Sequence, residues 1–334
     1  MFETRSGLRI IATKTSAIAL AAIVLTGASI SSAASTANAA SQAAKLPATV
    51  AFLKTAFSDA DIQNRMTTGF AIEAFIQLAG AGVTAADLSP AIRAEFTKSI
   101  RIFGDHNKSG YLVDSSTHII KPGLAGKFLY ASQVLQAKNS SFQTDVVNAL
   151  VAQIAADGMV TASKGNAQDI AWVILGLEAE RQTVQARRVA IAMMKLQHKD
   201  GGFNYDQALT IGGTDVTSIA IQALMAVPFA TKASVAKRDK VVAKAVAFLK
   251  ANTVQQNHFV AWGDVDPNGT AYAIMGLQAA GAPTTRYVLW LKSHLRSDGG
   301  IEAPWSQGAG DRYVTAQGYL PLIGKTYVSL LAGK

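Results

Sequence analysis

The sequence predicts an all-α protein in which one helical hairpin recurs along the chain. The clearest copy spans residues 192–226, where an apolar helical pattern ends at Gln197, a turn carries Asp-Gly-Gly at 200–202, and a second apolar pattern begins near Asp215. Two helices joined by a glycine-rich turn cannot bury their own apolar faces, so such a hairpin needs neighbours of the same kind. Few segments show the alternating pattern that predicts strands.

Weaker copies of this hairpin occur on both sides of it. The pentapeptide Val-Ala-Phe-Leu-Lys is found twice in the same repeat position, at 50–54 and at 246–250. About six units follow one another at a period of roughly 40–60 residues. Two helices in each of about six units predict a closed double ring of helices, an (α/α)6 toroid. The second helix of each unit, expected on the inner side of the ring, is predicted at 67–79, 124–137, 166–179, 215–224, 269–277 and 312–320.

Turn and cap residues support these bounds. Ser89 followed by Pro90 is typical of the N-cap and first position of an outer helix, predicted to run to residue 103. Glycines at 80 and 82 and at 281, the last followed by Pro283, are typical of helix ends. The segment 326–331 is expected to close the ring by packing against the first unit.

The N-terminus has the organisation of a secretory signal peptide. A basic segment precedes an apolar stretch at 17–30 that is too short to span a bilayer comfortably, and the small residues at 37–39 fit the cleavage rule. We therefore predict a signal peptide at 1–39 and one domain at 40–334, secreted to the cell surface or the medium, with no transmembrane segment in the mature chain. An uncleaved anchor helix is the alternative.

The composition limits the kinds of catalytic and binding site that the chain can form. The chain has no cysteine, which excludes disulfides, thiol nucleophiles and zinc–thiolate sites. Its 31 Lys and Arg residues outnumber 22 Asp and Glu residues and give a formal net charge of +9. The basic residues are scattered over predicted outer helices, which favours a solvated surface; a patch for an anionic wall polymer or a membrane surface is the alternative. No basic motif interleaved with aromatic residues points to nucleic acid, and a monomer is expected.

The loops before the inner helices are expected to meet at one mouth of the ring. Helix N-termini there carry partial positive charge and free N–H groups, and acidic and aromatic side chains predict a polar-rimmed ligand pocket. The predicted ligand-binding residues are Tyr205, Asp215, Trp262, Asp264, Asp266 and Trp305. Alternatively, Asp169, Asp215 and Asp311 cap the inner helices, and the two roles can coexist.

The hairpin also resembles a known repeat. Leu196-Gln197, Asp-Gly-Gly-Phe at 200–203, Thr217 and Ala-Ile-Gln-Ala-Leu at 220–224 resemble the repeat of squalene cyclases and protein prenyltransferases. The resemblance is strongest over about 190–320 and weaker over about 45–180, and it implies the toroid fold.

The same resemblance bears on activity. Members that cyclise squalene protonate an alkene with an aspartate of a DxDD-Thr-Ala motif. The nearest segment here is 264–271, in which Asp264 and Asp266 are followed by Pro-Asn-Gly in place of the final acid. Prenyltransferases bind zinc partly through cysteine, which this chain lacks. The resemblance therefore implies a secreted non-cyclase member that binds a small molecule or a cell-surface component, with no catalytic residue and no cofactor assigned.

Two other functions stay open. A divergent terpene cyclase is one. The other is a secreted carbohydrate-active enzyme, because (α/α)6 barrels also host glycosidases and lyases, which need two carboxyl groups facing across a cleft. The candidate carboxyl groups are those of Asp169, Asp215, Asp264, Asp266, Glu302 and Asp311.

Two segments match the first half of a calcium-binding loop. They span residues 105–110 and 264–269, but the twelfth positions hold Ser116 and Met275 instead of Glu. A polar turn explains both segments better, and no metal site is predicted.

Overall fold

A computed structural model of the chain describes residues 46–64, 66–96, 112–114, 117, 119–137, 140–261 and 264–332. Within these ranges the chain is mostly helical, with 14 α-helices and negligible sheet, so the all-α prediction is confirmed. One short antiparallel ribbon joins β1 (Val260–Ala261) to β2 (Asp264–Val265), with Val260 opposite Val265 and Ala261 opposite Asp264.

Six helices carry most of the buried apolar residues. They are α3 (Thr68–Gly80), α5 (Pro122–Val134), α7 (Ala167–Ala179), α9 (Thr214–Ala226), α11 (Pro267–Ala279) and α13 (Arg312–Leu322). The remaining helices are α1 (residues 46–56), α2 (Asp59–Gln63), α4 (Pro90–Glu95), α6 (Ser140–Val151), α8 (Thr183–Met193), α10 (Lys232–Ala251), α12 (Thr285–Ser293) and α14 (Tyr327–Ala332).

The order of helix contacts follows the predicted repeat. Helices α3, α5, α7, α9, α11 and α13 each contact the next helix in this series, and α13 also contacts α3. Four further helices each pack on one member of this series: α6 on α5, α8 on α7, α10 on α9 and α12 on α11. Helices that are apolar around most of their circumference need neighbours on several sides, and this arrangement supplies them.

The two copies of the Val-Ala-Phe-Leu-Lys pentapeptide make the same contact. A Cβ atom added at Gly202 would lie 3.1 Å from the Phe248 ring, and one added at Gly300 would lie 2.9 Å from the Phe52 ring. Helix α10 therefore lies on the turn at 200–203 in the way that α1 lies on the turn at 298–301. Helix α1, the first in the described chain, thus packs on a turn that lies more than 240 residues further along the sequence.

The hairpin turns share one hydrogen-bond pattern. The Asp200 carboxylate accepts the N–H groups of Gly202 (2.9 Å) and Gly212 (2.8 Å), and the Asp298 carboxylate accepts those of Gly300 and Gly310 at 2.9 Å each. Further on, buried threonine hydroxyls accept a backbone N–H from the turn; these pairs are Thr217 with Phe203, Thr270 with Phe259, and Thr315 with Ile301. The repeated sequence therefore encodes a repeated set of bonds.

Several predicted bounds need correction. The Ser89 hydroxyl caps α4 by accepting the Ile92 N–H at 3.1 Å, as predicted, but α4 ends at Glu95. Residues 97–111, which include the rest of that predicted helix and the calcium-like segment at 105–110, lie outside the described residues. Helix α14 packs mainly on α9 and α11, and its Tyr327 also interacts with Glu73 and Gln77 of α3, in the first unit, where the sequence predicted its contact.

The side chain of Tyr327, at the start of α14, is completely buried among four helices. Its carbonyl oxygen accepts the Tyr130 hydroxyl at 2.7 Å, and its N–H donates to Gln222 Oε1 at 2.9 Å. Its ring contacts those of Tyr130, Trp172 and Tyr272. Helix α14 is therefore anchored in the core by the ring and the backbone of this one residue.

Two glycines let α5 and α7 approach closely, which gives a testable expectation. A Cβ atom at Gly126 would lie 2.3 Å from the Trp172 carbonyl oxygen, and one at Gly176 would lie 2.4 Å from the Gly126 carbonyl oxygen. Because these neighbours are backbone atoms, the two helices must separate to admit a methyl group. Gly126→Ala should lower the free energy of unfolding by about 1–3 kcal/mol, measured by urea denaturation.

Gly69→Ala is the matched control, since its added Cβ atom would meet only Lys127 Nζ at 3.7 Å, an ordinary contact. Alanine is the better helix former, so the control should be neutral or slightly stabilising. Equal losses in both variants would contradict the close-approach explanation.

Candidate functional site

A cavity of about 820 Å³ opens where α9 and α11 begin. Five of the six predicted ligand-binding residues line this cavity. Tyr205 lies in the turn before α9, Asp215 in the first turn of α9 and Asp264 on β2. Asp266 is the N-cap of α11, and Trp305 lies in the turn before α13. The sixth, Trp262, lies outside the described residues. The repeat explains this convergence, because the segments that precede α9, α11 and α13 occupy the same position in the repeated hairpin.

The cavity has an exposed apolar rim. Tyr205, Ile211 and Trp305 are 55%, 65% and 63% exposed. Leu209, Val260 and Val265 add further exposed apolar surface beside them. Contiguous apolar surface of this kind marks interaction sites. The aliphatic members were not predicted from the sequence, although Ile211 and Leu209 lie in the predicted loop between Tyr205 and Asp215.

The carboxyl group of Asp266 caps α11. Its Oδ1 accepts the Gly269 N–H at 2.9 Å. Burial raises the pKa of this carboxyl, the bond from Gly269 lowers it, and the negative charge of Asp215 raises it again. Asp266 is thus both a structural cap and a cavity acid that interacts electrostatically with a second cavity acid.

Asp215 lies in the first turn of α9, where its Oδ1 accepts the Val216 N–H at 2.8 Å. Burial raises the pKa of the Asp215 carboxyl, and the charge of Glu73 adds to this effect. Asp264, in contrast, is exposed at the rim on β2. The cavity therefore offers hydrogen-bond acceptors in both buried and open surroundings.

The capping alternative is correct for one of the three aspartates that it named. Asp311 Oδ1 accepts the N–H groups of Tyr313 (2.8 Å) and Val314 (2.9 Å) and caps α13. It is wrong for Asp169 and Asp215, because residues Asn166 and Gly213 occupy those N-cap positions. The remaining Asp311 oxygen, Oδ2, accepts the indole N–H of Trp305 at 2.8 Å. The cap thereby also orients the exposed indole beside the cavity.

A second cavity, of about 490 Å³, adjoins the first. The two share Asn268 and Trp305, and the other lining residues are mostly apolar or aromatic: Met66, Thr67, Phe70, Tyr313 and Val314. Asn268 Oδ1 has no hydrogen-bond partner among the described residues. This compartment was not predicted, because its walls come from segments that are far apart in the sequence.

Glu73 and Lys127 form a buried ion pair between α3 and α5, which the sequence analysis also missed. Glu73 also accepts hydrogen bonds from the Tyr272 hydroxyl at 2.9 Å and from Gln317 Nε2, and Lys127 Nζ lies 4.8 Å from the centroid of a Trp172 ring. All five residues stand six positions after an N-cap. The sequence signal for this ion pair was a charged residue inside an otherwise apolar helix.

Asp169 lies near this ion pair but does not line the first cavity. Burial raises the pKa of its carboxyl, and the Lys127 ammonium lowers it. Among the described residues, no group of three or more His, Cys, Asp or Glu side chains is arranged to hold a metal ion.

The raised pKa of Asp215 leads to a prediction about stability and pH. An acid whose pKa is higher in the folded state lowers stability above that pKa, and the effect disappears below the unfolded value of 3.8. Asp215→Asn keeps the acceptor for Val216 and removes the charge, so it should raise Tm at pH 7. The gain should shrink as the pH falls towards 3.8 in thermal melts. A gain independent of pH would show that burial of the charge is not its cause.

No helix in the described part of the chain has the length and apolar character needed to cross a membrane. No protein-family model and no curated protein matches this sequence.

Proposed function

We propose that the mature chain, residues 40–334, is a secreted protein that binds a small molecule or a cell-surface component in the 820 Å³ cavity without altering it chemically. One observation carries the proposal: five residues that were predicted as ligand-binding line one cavity, together with an exposed apolar rim. Concave sites with apolar walls and a few polar groups are the usual form of a small-molecule site.

We further propose that the helices form a closed (α/α)6 toroid of the type seen in squalene cyclases and protein prenyltransferases. Three observations support the toroid. Helix α13 contacts α3, and the helices α6, α8, α10 and α12 each pack on one helix of the series. The Phe52 ring contacts the turn at Gly300. In a closed ring the N-terminal ends of the inner helices would surround one mouth, and the cavity opens at the N-terminal ends of α9 and α11.

The lining defines the ligand's chemistry. Asp215, Asp264 and Asp266 offer acceptors and no donors when ionised, so the ligand presents hydroxyl or ammonium donors to them. Tyr205 and Trp305 offer flat apolar faces, and flat apolar faces of a ligand stack on them. The ligand therefore combines hydrogen-bond donors with an apolar face.

The helix-capping bonds of two acids, Asp266 and Asp311, favour a structural role for them over acid catalysis. The Asp266 oxygen Oδ1 is held by the α11 backbone, and both Asp311 oxygens are held by the α13 backbone and by Trp305. A general acid must instead be free to deliver a proton to the substrate.

Native mass spectrometry of protein recovered from its own host tests this proposal. We expect a non-covalent adduct that is lost on denaturation. Removing both flat faces with Tyr205→Ala and Trp305→Ala should abolish the adduct, because each face contributes about 0.5–1.5 kcal/mol beyond its area. Protein made elsewhere should regain the adduct when incubated with a cell-envelope extract of that host.

The matched control is Leu289→Ala on α12, which removes a side chain that is 63% exposed and lies outside the cavity lining. It should leave the adduct unchanged. An adduct that survives in the cavity variants, or wild-type protein that captures nothing from host extract, would refute the proposal.

A carbohydrate-active enzyme is the second candidate, favoured by one observation. Asp215 and Asp266 line the same cavity, burial raises the pKa of both, and they interact electrostatically. Such pairs divide acid and base roles in glycosidases. The test is whether the purified protein releases reducing ends from host cell-wall polysaccharide. If it does, and if Asp215→Asn or Asp266→Asn abolishes the release, the function is hydrolysis and not binding alone.

A further inference from the structure

We infer that the outer face of α10, together with the turn that it covers, is a docking surface for a linear polyanion that carries repeated phosphate groups. This inference does not depend on the cavity or its ligand. It starts from five exposed lysines on two segments that contact each other: Lys195, Lys199, Lys237, Lys240 and Lys244.

The spacing on α10 aligns three of these lysines. Lys237, Lys240 and Lys244 stand at i, i+3 and i+7 and therefore lie along one face of the 20-residue helix. A row of this kind runs parallel to the helix axis, so it matches an extended chain of charges better than a single anion.

The turn at 195–201 is fixed against the same helix. Gln197 Nε2 donates to the Val241 carbonyl oxygen at 2.8 Å, and a Cβ atom at Gly201 would lie 2.6 Å from the Lys244 carbonyl oxygen. Lys195 and Lys199 flank Gln197 at two residues on each side, so the turn brings them beside the row on α10. The five lysines thus form one basic face, named here the α10 face.

Little negative charge opposes the α10 face. None of the five lysines forms an ion pair with a carboxylate among the described residues. Asp239 pairs with Arg238 at 2.7 Å, and the two oxygens of Asp200 accept backbone N–H groups of its own turn. A face with unpaired lysines attracts polyanions and releases their counterions on binding.

The composition of the helix favours a polymer over a membrane surface. Helices that lie in a membrane interface insert large apolar side chains. The apolar face of α10, which includes Val242, Phe248 and Leu249, is buried in the protein core. The exposed residues next to the lysines in sequence include Ala236 and Ala243, which are too small to insert. Binding on this face therefore rests on charge alone.

Binding of fluorescently labelled long-chain polyphosphate to the purified protein tests the inference. We expect affinity to fall steeply as salt rises. Lys237→Gln, Lys240→Gln and Lys244→Gln combined should weaken binding at least tenfold. They should also reduce the slope of log affinity against log salt by about 2–3, near one for each lost phosphate contact.

The control removes three basic charges elsewhere, with Lys54→Gln, Arg93→Gln and Lys292→Gln, and should change affinity less than twofold. Equal weakening in both triple variants would show that net charge alone attracts the polymer and would overturn the inference. So would binding to phosphatidylglycerol vesicles without binding to polyphosphate, which would make the α10 face a membrane contact. Circular dichroism verifies that both triple variants are folded.

Discussion

Replacing Glu73 with leucine is expected to lower the free energy of unfolding by about 3–5 kcal/mol, because Lys127 would stay buried without its partner. Glu73 joins three helices, through Lys127 on α5, Tyr272 on α11 and Gln317 on α13. The side chains of Glu73 and Lys127 are only 3% and 11% exposed, so water cannot replace the lost partner easily. Urea denaturation measures the change.

The double variant Glu73→Leu with Lys127→Met separates the charge pair from its packing. Replacing both partners by apolar residues of similar size is often nearly neutral, so the double variant should be more stable than Glu73→Leu alone. If the double variant loses as much as the sum of the single losses, the pair is not coupled and the explanation fails.

Replacing Tyr327 with alanine is the second change of large effect, expected to cost about 3–5 kcal/mol. The ring fills the space between Tyr130, Trp172 and Tyr272, and its removal leaves a cavity that rigid helices cannot close. Thermal melts should show a drop in Tm, accompanied by a change in near-ultraviolet circular dichroism as the neighbouring aromatic rings lose their fixed packing.

Tyr327→Phe is the matched control. It keeps the ring and both backbone bonds, to Tyr130 and to Gln222, and removes only the hydroxyl. Most of the stability should remain. A loss in Tyr327→Phe equal to that in Tyr327→Ala would assign the role of Tyr327 to its hydroxyl instead of its packing.

The helices were predictable because the repeat carries both their start and their stop signals. The Asp-Gly-Gly turns and the threonines that follow them recur in sequence and make the same bonds in the structure, as with Asp200 and Thr217. The five described cavity residues of the prediction were predictable for the same reason, since each lies in or next to a loop whose place the repeat sets.

Side-chain pairings between units were not predictable. The repeat predicts that the helices carrying Glu73 and Lys127 are neighbours, but nothing in a periodic pattern states which side chains on them meet. The 490 Å³ cavity beside Trp305 was not predicted for the same reason, because Met66 and Tyr313 line it from different units. Capping was misassigned at Asp169 and Asp215 because an aspartate two or three residues inside a helix resembles a cap in sequence.

The position of Tyr327 also has a consequence for the order of events during synthesis. Glu73 can form its hydrogen bonds to Tyr272 and Gln317 only after these residues, 199 and 244 positions further along, have been synthesised. The cluster of aromatic rings around Tyr327 can form only after that residue, near the end of the described chain, has been synthesised. Contacts of such long sequence separation form slowly. A nascent chain therefore cannot complete this part of its core until residue 327 has been synthesised.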